Sequence, residues 1–517
     1  MINAMRWACC VVVLAATPMP AQSADGEPLR VRLKADIRST EPGVNRDSNS
    51  DMVVNHIVEG LVAYREDTSV GPMLAESVTA SEDGLAYTFK LRGGVKFHNG
   101  ADLTSADVKF AWDHYLKEAT KWRCLKDFTG RVTTITAIEA PDPATVVFRL
   151  KKPANLFLAS MARVDCGQSG IWHRSSLNED GSWKSPVGTG PYKLVEWRKG
   201  QFVDLEKFKD YAARSGDPDG LTGGKAGGPQ LVRISVVPDP SAAKAALISG
   251  AIDLLPDVDE KDVTELRGKP GMTVTVSPTL GSVGILLQTK SGPFADVRLR
   301  KALALSLDYP EIVKTLAGDD IPYNPSPIPT SSGFYGETQK HGYKRDLAAA
   351  KKLLAEAGYK GEPIKLLTNK RYSSMYETAV LVQAMATEAG LNLQFEVIDW
   401  ATQLDHYLKG TYAAMAFAYS ARYDPTLSFD MFSGPKDKQA RKVWDNPDML
   451  KLIAATGATT DKAKRQALFD KLHTQMIEDA PAIWLYNNAA ITASGPRIAA
   501  FKSWVTEQPR LWAVTLK

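Results

Sequence analysis

The chain has 517 residues, 44% of them hydrophobic and 24% charged, with a formal net charge of +4. That length exceeds what one hydrophobic core serves, so two or three domains are expected in a soluble, folded protein. Lys and Arg are scattered among Asp and Glu rather than massed in blocks, which removes the usual footprint of a nucleic-acid binder.

The first stretch, "MINAMRWACCVVVLAATPMPAQSADGEP", places Arg6 ahead of an apolar run from Trp7 to Ala16. Pro18, Pro20 and the small residues Ala21, Ser23 and Ala24 follow. This is the layout of a secretory signal peptide over residues 1–24, cleaved after Ser23 or Ala24, and it implies a periplasmic protein. The alternative is an uncleaved anchor, but the run is shorter than the ~20 residues that span a bilayer. Cys9 and Cys10 leave with the leader. Cys124 and Cys166 remain, and an even pair in an exported chain points to a disulfide, with two separate buried thiols as the alternative. Neither has a His or Cys at metal-ligand spacing.

Beyond the leader, "LRVRLKADI" alternates as a strand does. "DMVVNHIVEGLVAY" carries Val53, Val54, Ile57, Val58 and Leu61 at helical spacing, with a stop at Gly60. In "AYTFKLRGGVKF", two alternating runs flank Gly93 and Gly94, a hairpin-like signal. Asn99-Gly100 predicts a tight turn. Thr104 and Asp107 form a variant capping box, followed by Val108, Ala111, Trp112 and Tyr115 on one helical face. Strands are expected at Thr145 to Leu150, Tyr192 to Trp197, "FVDLEKF" and "LVRISVV", with "SGDPDGLTGGKAGGPQ" as a loop. Helices dominate later: "LRKALALSLD", "DYPEIVKTLAG" opened by Asp308 and closed at Gly318, and "RDLAAAKKLLAEAG" from Asp346 to Gly358. "AMATEAGLNLQFEVIDW" turns from helix to strand near Leu391. The class is α/β, without an internal repeat.

Catalytic signatures are missing from the sequence: it has no G-x-S-x-G, H-E-x-x-H, C-x-x-C or phosphate-loop motif. Its seven His residues never pair at i, i+4, so no metal site and no cofactor are expected. His98 and His114 are candidates for an acid/base pair, but surface or hydrogen-bonding roles are commoner. The expectation is a binder, not an enzyme; a periplasmic hydrolase, the rival, needs a nucleophile–base pair.

Several blocks together carry a resemblance. "VVNHIVEGLVAYREDTSVGPMLAESVTASEDGLAYTFKLRGGVKFHNGADLTSADVKFAW", "GTGPYKLVEWRKGQFVDLEKFKDY", "FADVRLRKALALSLDYPEIVKTLAGDDIPYNPSPIP", "RDLAAAKKLLAEAGY" and "EDAPAIWLYN" occur in the order of the peptide/nickel class (family 5) of extracellular solute-binding proteins of ABC importers. The resemblance implies a type II, clam-like, two-lobed periplasmic-binding-protein fold with an extra subdomain in the first lobe. Lobe I is expected at 25–71, 187–276 and 482–517, the inserted subdomain at 72–186 and lobe II at 277–481. Cys124 and Cys166 both fall in the inserted part, where a bridge would tie it internally. The implied role is capture of a solute between lobes for an ABC permease with separate ATPase subunits. A monomer is expected, without nucleic acid and without a membrane span after cleavage.

The resemblance also aligns "YSARYDP" with a second-lobe segment whose Asp holds a peptide's ammonium in relatives. Here Arg422 takes that place. A guanidinium suits carboxylate, phosphate or sulfate and repels an ammonium, so a small, anionic solute is expected, with an oligopeptide or dipeptide as the alternative. Two other outcomes are open: Arg422 pairs with a nearby carboxylate, or Asp424 takes an amine after a two-residue shift. Tyr419, Tyr423 and Trp400 are candidate pocket walls. On the first lobe, Arg38, Thr40, Glu41, Asn45 and Arg46 are candidates in "IRSTEPGVNRDSNSD".

Overall fold

The computed structural model describes residues 26–459 and 461–517; the expected signal peptide at 1–24 lies outside them. A ten-stranded mixed sheet runs through the molecule. Its order is Leu393–Val397, Ile364–Thr368, Ala414–Tyr419, Thr273–Leu287, Ala482–Ser494, Leu254–Leu255, Leu29–Leu33, Leu231–Val236, Phe202–Lys207 and Tyr192–Arg198. The two long central strands pair antiparallel from Thr273 opposite Ser494 to Leu286 opposite Ala482, with irregular register between Pro278 and Ser282. Side chains beyond that irregularity, such as Ile285 and Leu485, belong to one core, packed under the helices Val297–Ser306, Tyr309–Ala317 and Ser373–Glu388. Before it, Val274, Ile491 and Ala493 join a cluster with Leu247 and Leu266. The largest core gathers residues from Leu29 to Leu205 and from Ile498 to Val514. The chain is thus two-lobed, with two long strands crossing between the lobes.

Between the sheet strands Leu29–Leu33 and Tyr192–Arg198 lies a separate four-stranded antiparallel sheet, ordered Ala75–Ala80, Ala86–Leu91, Thr145–Leu150 and Ile135–Asp142. The helix Ser105–Tyr115 covers it. The backbone N–H and hydroxyl of Thr104 both donate to Asp107, the expected capping box. Trp112 is fully buried and meets Phe128 and Phe148 edge to face at 5.1 and 5.0 Å. Truncating such a residue costs about 3–5 kcal/mol. Cys124 and Cys166 are joined in a disulfide that closes a separation of 42 residues within this part.

Three local expectations are corrected. The helix expected to run on to a stop at Gly60 is Ser48–Val54 only. The carbonyls of His56, Ile57 and Glu59 accept from Tyr192, Gly190 and Ile171 instead, so they are taken by neighbouring segments and cannot extend a helix. The Gly93-Gly94 hairpin does not form, because Ala86–Leu91 pairs with Ala75–Ala80 and Thr145–Leu150 on its two sides. The loop "SGDPDGLTGGKAGGPQ" contains a short ladder of Pro218–Asp219 with Thr222–Gly223. It also delivers Lys225 to a fully buried ion pair with Glu59 at 3.2 Å.

Candidate functional site

The strand Ala414–Tyr419 lies between Thr273–Leu287 and Ile364–Thr368. Its alternation sends Ala414 and Ala416 into one core, and Met415, Phe417 and Tyr419 into an aromatic cluster on the other face. Beside that cluster the helix Trp400–Lys409, capped by Asp399, turns Trp400, Leu404, Tyr407 and Leu408 towards the same space. Together with Arg422, Asp430, Arg441 and Asn488 of the crossing strand, these side chains line a cavity of about 590 Å³. A neighbouring hollow of about 610 Å³ shares Trp400 and is bordered by Lys370 and Arg371.

The polar part of the cavity is built around guanidinium groups. Nη1 of Arg422 donates to the carbonyl and hydroxyl of Ser420 at 3.0 and 2.9 Å and to the carbonyl of Ala421 at 2.9 Å. Arg441 donates to the Tyr407 hydroxyl at 2.9 Å, the Met431 carbonyl at 3.1 Å and the Gln439 side chain at 3.4 Å. Among the described residues, neither guanidinium has a carboxylate within ion-pair distance. Asp430, the one acid in the lining, sits 3.7 Å from the buried ammonium of Lys442. Burial lowers the pKa of Arg422 from its ordinary value, and the positive charges of Arg163 and Arg441 add to that. An arginine stays charged under such a shift. The cavity therefore holds partly desolvated positive charge with no carboxylate bonded to it.

The segment carrying Arg422 also touches the other lobe. Tyr423 stacks on Tyr64 with ring centroids 4.4 Å apart, and both Ala421 and Tyr423 pack against the first-lobe core. Asp424 caps the helix Pro425–Asp430 through the Thr426 N–H at 2.9 Å and takes Arg465 at 2.8 and 2.9 Å. Trp400, Tyr419 and Arg422 line the cavity, whereas Tyr423 and Asp424 do not.

The first-lobe candidates stand elsewhere too. Glu41 accepts from His114 at 2.8 Å, Trp183 donates to the Thr40 hydroxyl at 3.0 Å, and Arg46 pairs with the buried Asp51. The Asn45 amide faces the Arg38 carbonyl at 3.4 Å. Gly43, at φ +71°, lies so close to Trp122 and the Cys166 carbonyl that a Cβ would collide with both. This loop is packed against the inserted sheet's domain, and none of its residues lines the cavity. His98 and His114 stay apart in role: His98 bridges Gly190 and Gly188, while His114 meets Glu41. The one metal-like cluster among the described residues, Cys124, Asp127 and Cys166, is spent in the disulfide and in ion pairs of Asp127 with Arg131 and Arg163.

Residues 69–440 match the family model of bacterial extracellular solute-binding proteins, family 5, middle part. The chain belongs to this family. As a family 5 protein it is a solute-binding component of an ABC import system, a class that binds rather than transforms its substrate. It is 26% identical over 476 residues to the glutathione-binding protein GsiB of Pectobacterium atrosepticum, covering 90% of this chain and 89% of that one. It is 28% identical over 472 residues to the oligopeptide-binding protein AppA of Bacillus subtilis, covering 85% and 82%. The solved structure of HbpA2 from Haemophilus parasuis superposes with a TM-score of 0.82 at 21% identity, over 95% of this chain and 100% of that chain. No helix among the described residues of this family 5 chain is long and apolar enough to cross a membrane.

Arg441, Tyr372, Leu404 and Tyr407 line the cavity but were not among the sequence candidates. Leu404 and Tyr407 share a stripe with Trp400 that reads as ordinary core. Arg441 has Asp437 four residues before it and Asp445 four after it, a pattern that reads as a solvated surface pair.

Proposed function

We propose that this family 5 protein is exported to the periplasm, encloses a small organic anion between its lobes and presents it as a monomer to a membrane permease. The carrying observation is the pair of guanidinium groups, Arg422 and Arg441, in a cavity where neither meets a carboxylate. Charge-assisted hydrogen bonds to such groups are among the stronger polar contacts available. Lobe I comprises 25–71, 187–276 and 482–517, the inserted subdomain 72–186, and lobe II 277–481, after a leader at 1–24, except that Ala482–Tyr486 still packs in the lobe II cores before the strand crosses. Arg38, Glu41, Asn45 and Arg46 support the first lobe rather than touch solute. The chain performs no chemistry on its cargo, whose affinity for the closed over the open form drives closure.

A peptide is the second reading, favoured by relatives named for glutathione and for oligopeptides. Against a free peptide ammonium stands Asp424, already engaged by Arg465 and the helix start. Native mass spectrometry of the mature protein, compared with a denatured sample, tests the proposal. The expected extra mass is an acidic solute, absent or strongly reduced in Arg422→Gln. An uncharged or cationic solute, or one retained equally by Arg422→Gln, overturns the anion reading.

A further inference from the structure

We infer that the captured anion has a flat, apolar body, such as an aryl-alkyl carboxylate, rather than a hydrophilic one; this rests on the anion reading above. The cavity wall is aromatic: Trp400 meets Tyr372 edge to face at 5.0 Å and approaches Phe417 at 6.0 Å, and Tyr407 stacks on Phe417 at 4.5 Å. Three of its five hydroxyls are engaged, since Tyr419 donates to Tyr407 at 3.2 Å, Arg441 donates to the same oxygen and Ser420 accepts from Arg422. A sugar acid or small polyol acid needs a ring of free donors and acceptors, whereas beside the guanidinium groups this lining offers only Tyr372, Ser374, Asp430 and Asn488. The mouth is apolar as well. Tyr372, Leu408 and Leu427 are 40%, 53% and 37% exposed, although large apolar side chains elsewhere in the described residues are seldom so open. Left in water, such a rim is unfavourable, and covering it with an apolar ligand body recovers that cost.

Titration calorimetry of the mature protein, unfolded and refolded to strip bound solute, separates the two claims. The probes are hydrocinnamate, its neutral amide hydrocinnamamide, and gluconate. Hydrocinnamate is expected to bind at least about tenfold more tightly than either comparison compound, the scale of one aromatic contact or one charge-assisted bond. Trp400→Leu, which keeps an apolar side chain against Phe417, is expected to weaken hydrocinnamate about tenfold, titrated at a temperature where the variant's melting curve shows it folded. Gluconate binding as tightly as hydrocinnamate overturns the flat-body inference and leaves the anion reading standing. The amide binding as tightly as the acid overturns the anion reading itself. Absence of hydrocinnamate binding overturns the inference regardless of the amide, and gluconate then reports on the anion reading alone.

Discussion

The loop from Arg38 to Arg46 and the segment from Tyr419 to Arg441 offer the same chemistry on paper, arginines beside acids and aromatics, and use it in opposite ways. In the first, each charged side chain with a partner finds it within its own lobe: Glu41 with His114 and Arg46 with Asp51. In the second, Asp424 is matched to Arg465, but Arg422 and Arg441 are supported only by carbonyls, hydroxyls and an amide. A guanidinium that is partly desolvated yet lacks a counter-ion carries an electrostatic cost that an incoming anion relieves. Ligand affinity is therefore to be sought where pairing is incomplete, and stability where it is complete.

The sharpest way to break this comparison is Arg46→Gln, which strands Asp51 in the first lobe. Burial already raises the Asp51 carboxyl to about 7 despite Arg46. Removing the partner of a buried ion costs about 3 kcal/mol, and the cost should shrink at pH 5, where Asp51 takes up a proton, and be full at pH 8. Urea unfolding at the two pH values checks this; an affinity loss as large as that of an Arg441 variant would return the loop to the site. Next, Asp424→Ala removes a helix cap and Arg465's carboxylate together, for an expected loss of about 2 kcal/mol, read as a shift in urea midpoint. Arg441→Gln should do the reverse, weakening the anion about tenfold with little change in midpoint, as measured by calorimetry and unfolding on the same sample.

The smallest expected effect concerns the first lobe's interior. His56 donates from Nδ1 to the Met52 carbonyl at 2.7 Å and accepts the Leu511 N–H on Nε2 at 3.0 Å, so only the neutral ring fits. Burial lowers its pKa to about 4 from an ordinary 6.5. The unfolded chain thus binds the proton first, and the stability present above pH 6.5 is lost as pH falls towards 4. His56→Gln should reduce the loss between pH 7 and pH 6 by about 0.7 kcal/mol, measured as a flatter pH profile of the urea midpoint. An unchanged slope would mean that His98, lowered to about 4 by burial as well, dominates the acid limb.

Local rules written in adjacent residues were legible in the sequence. Asp308 and Asp346 cap the helices that follow them, since a carboxylate at that point satisfies backbone donors a few residues on. The family blocks carried the two-lobed architecture. What escaped was decided by distant partners. The helix after Ser48 ends at Val54 because segments more than a hundred residues away claim its next carbonyls. Arg422 and Trp400 could be named from a motif and an aromatic side chain, yet nothing near Arg441 in the chain distinguishes it from a solvated surface arginine. Conversely, Glu41 looked available because its partner, His114, lies far along the sequence.

The stretch Ala421–Arg422–Tyr423 gives its outer two side chains to the first lobe and its middle one to the cavity. Contact between lobes and the lining of the cavity are thereby written in neighbouring letters without sharing one. On the anion reading proposed above, exchanging the side chain at position 422 would alter the sign of the preferred solute while Tyr423 still stacks on Tyr64. Within such an arrangement, the cavity side chain can change by drift at one position without first rebuilding the contact between the lobes.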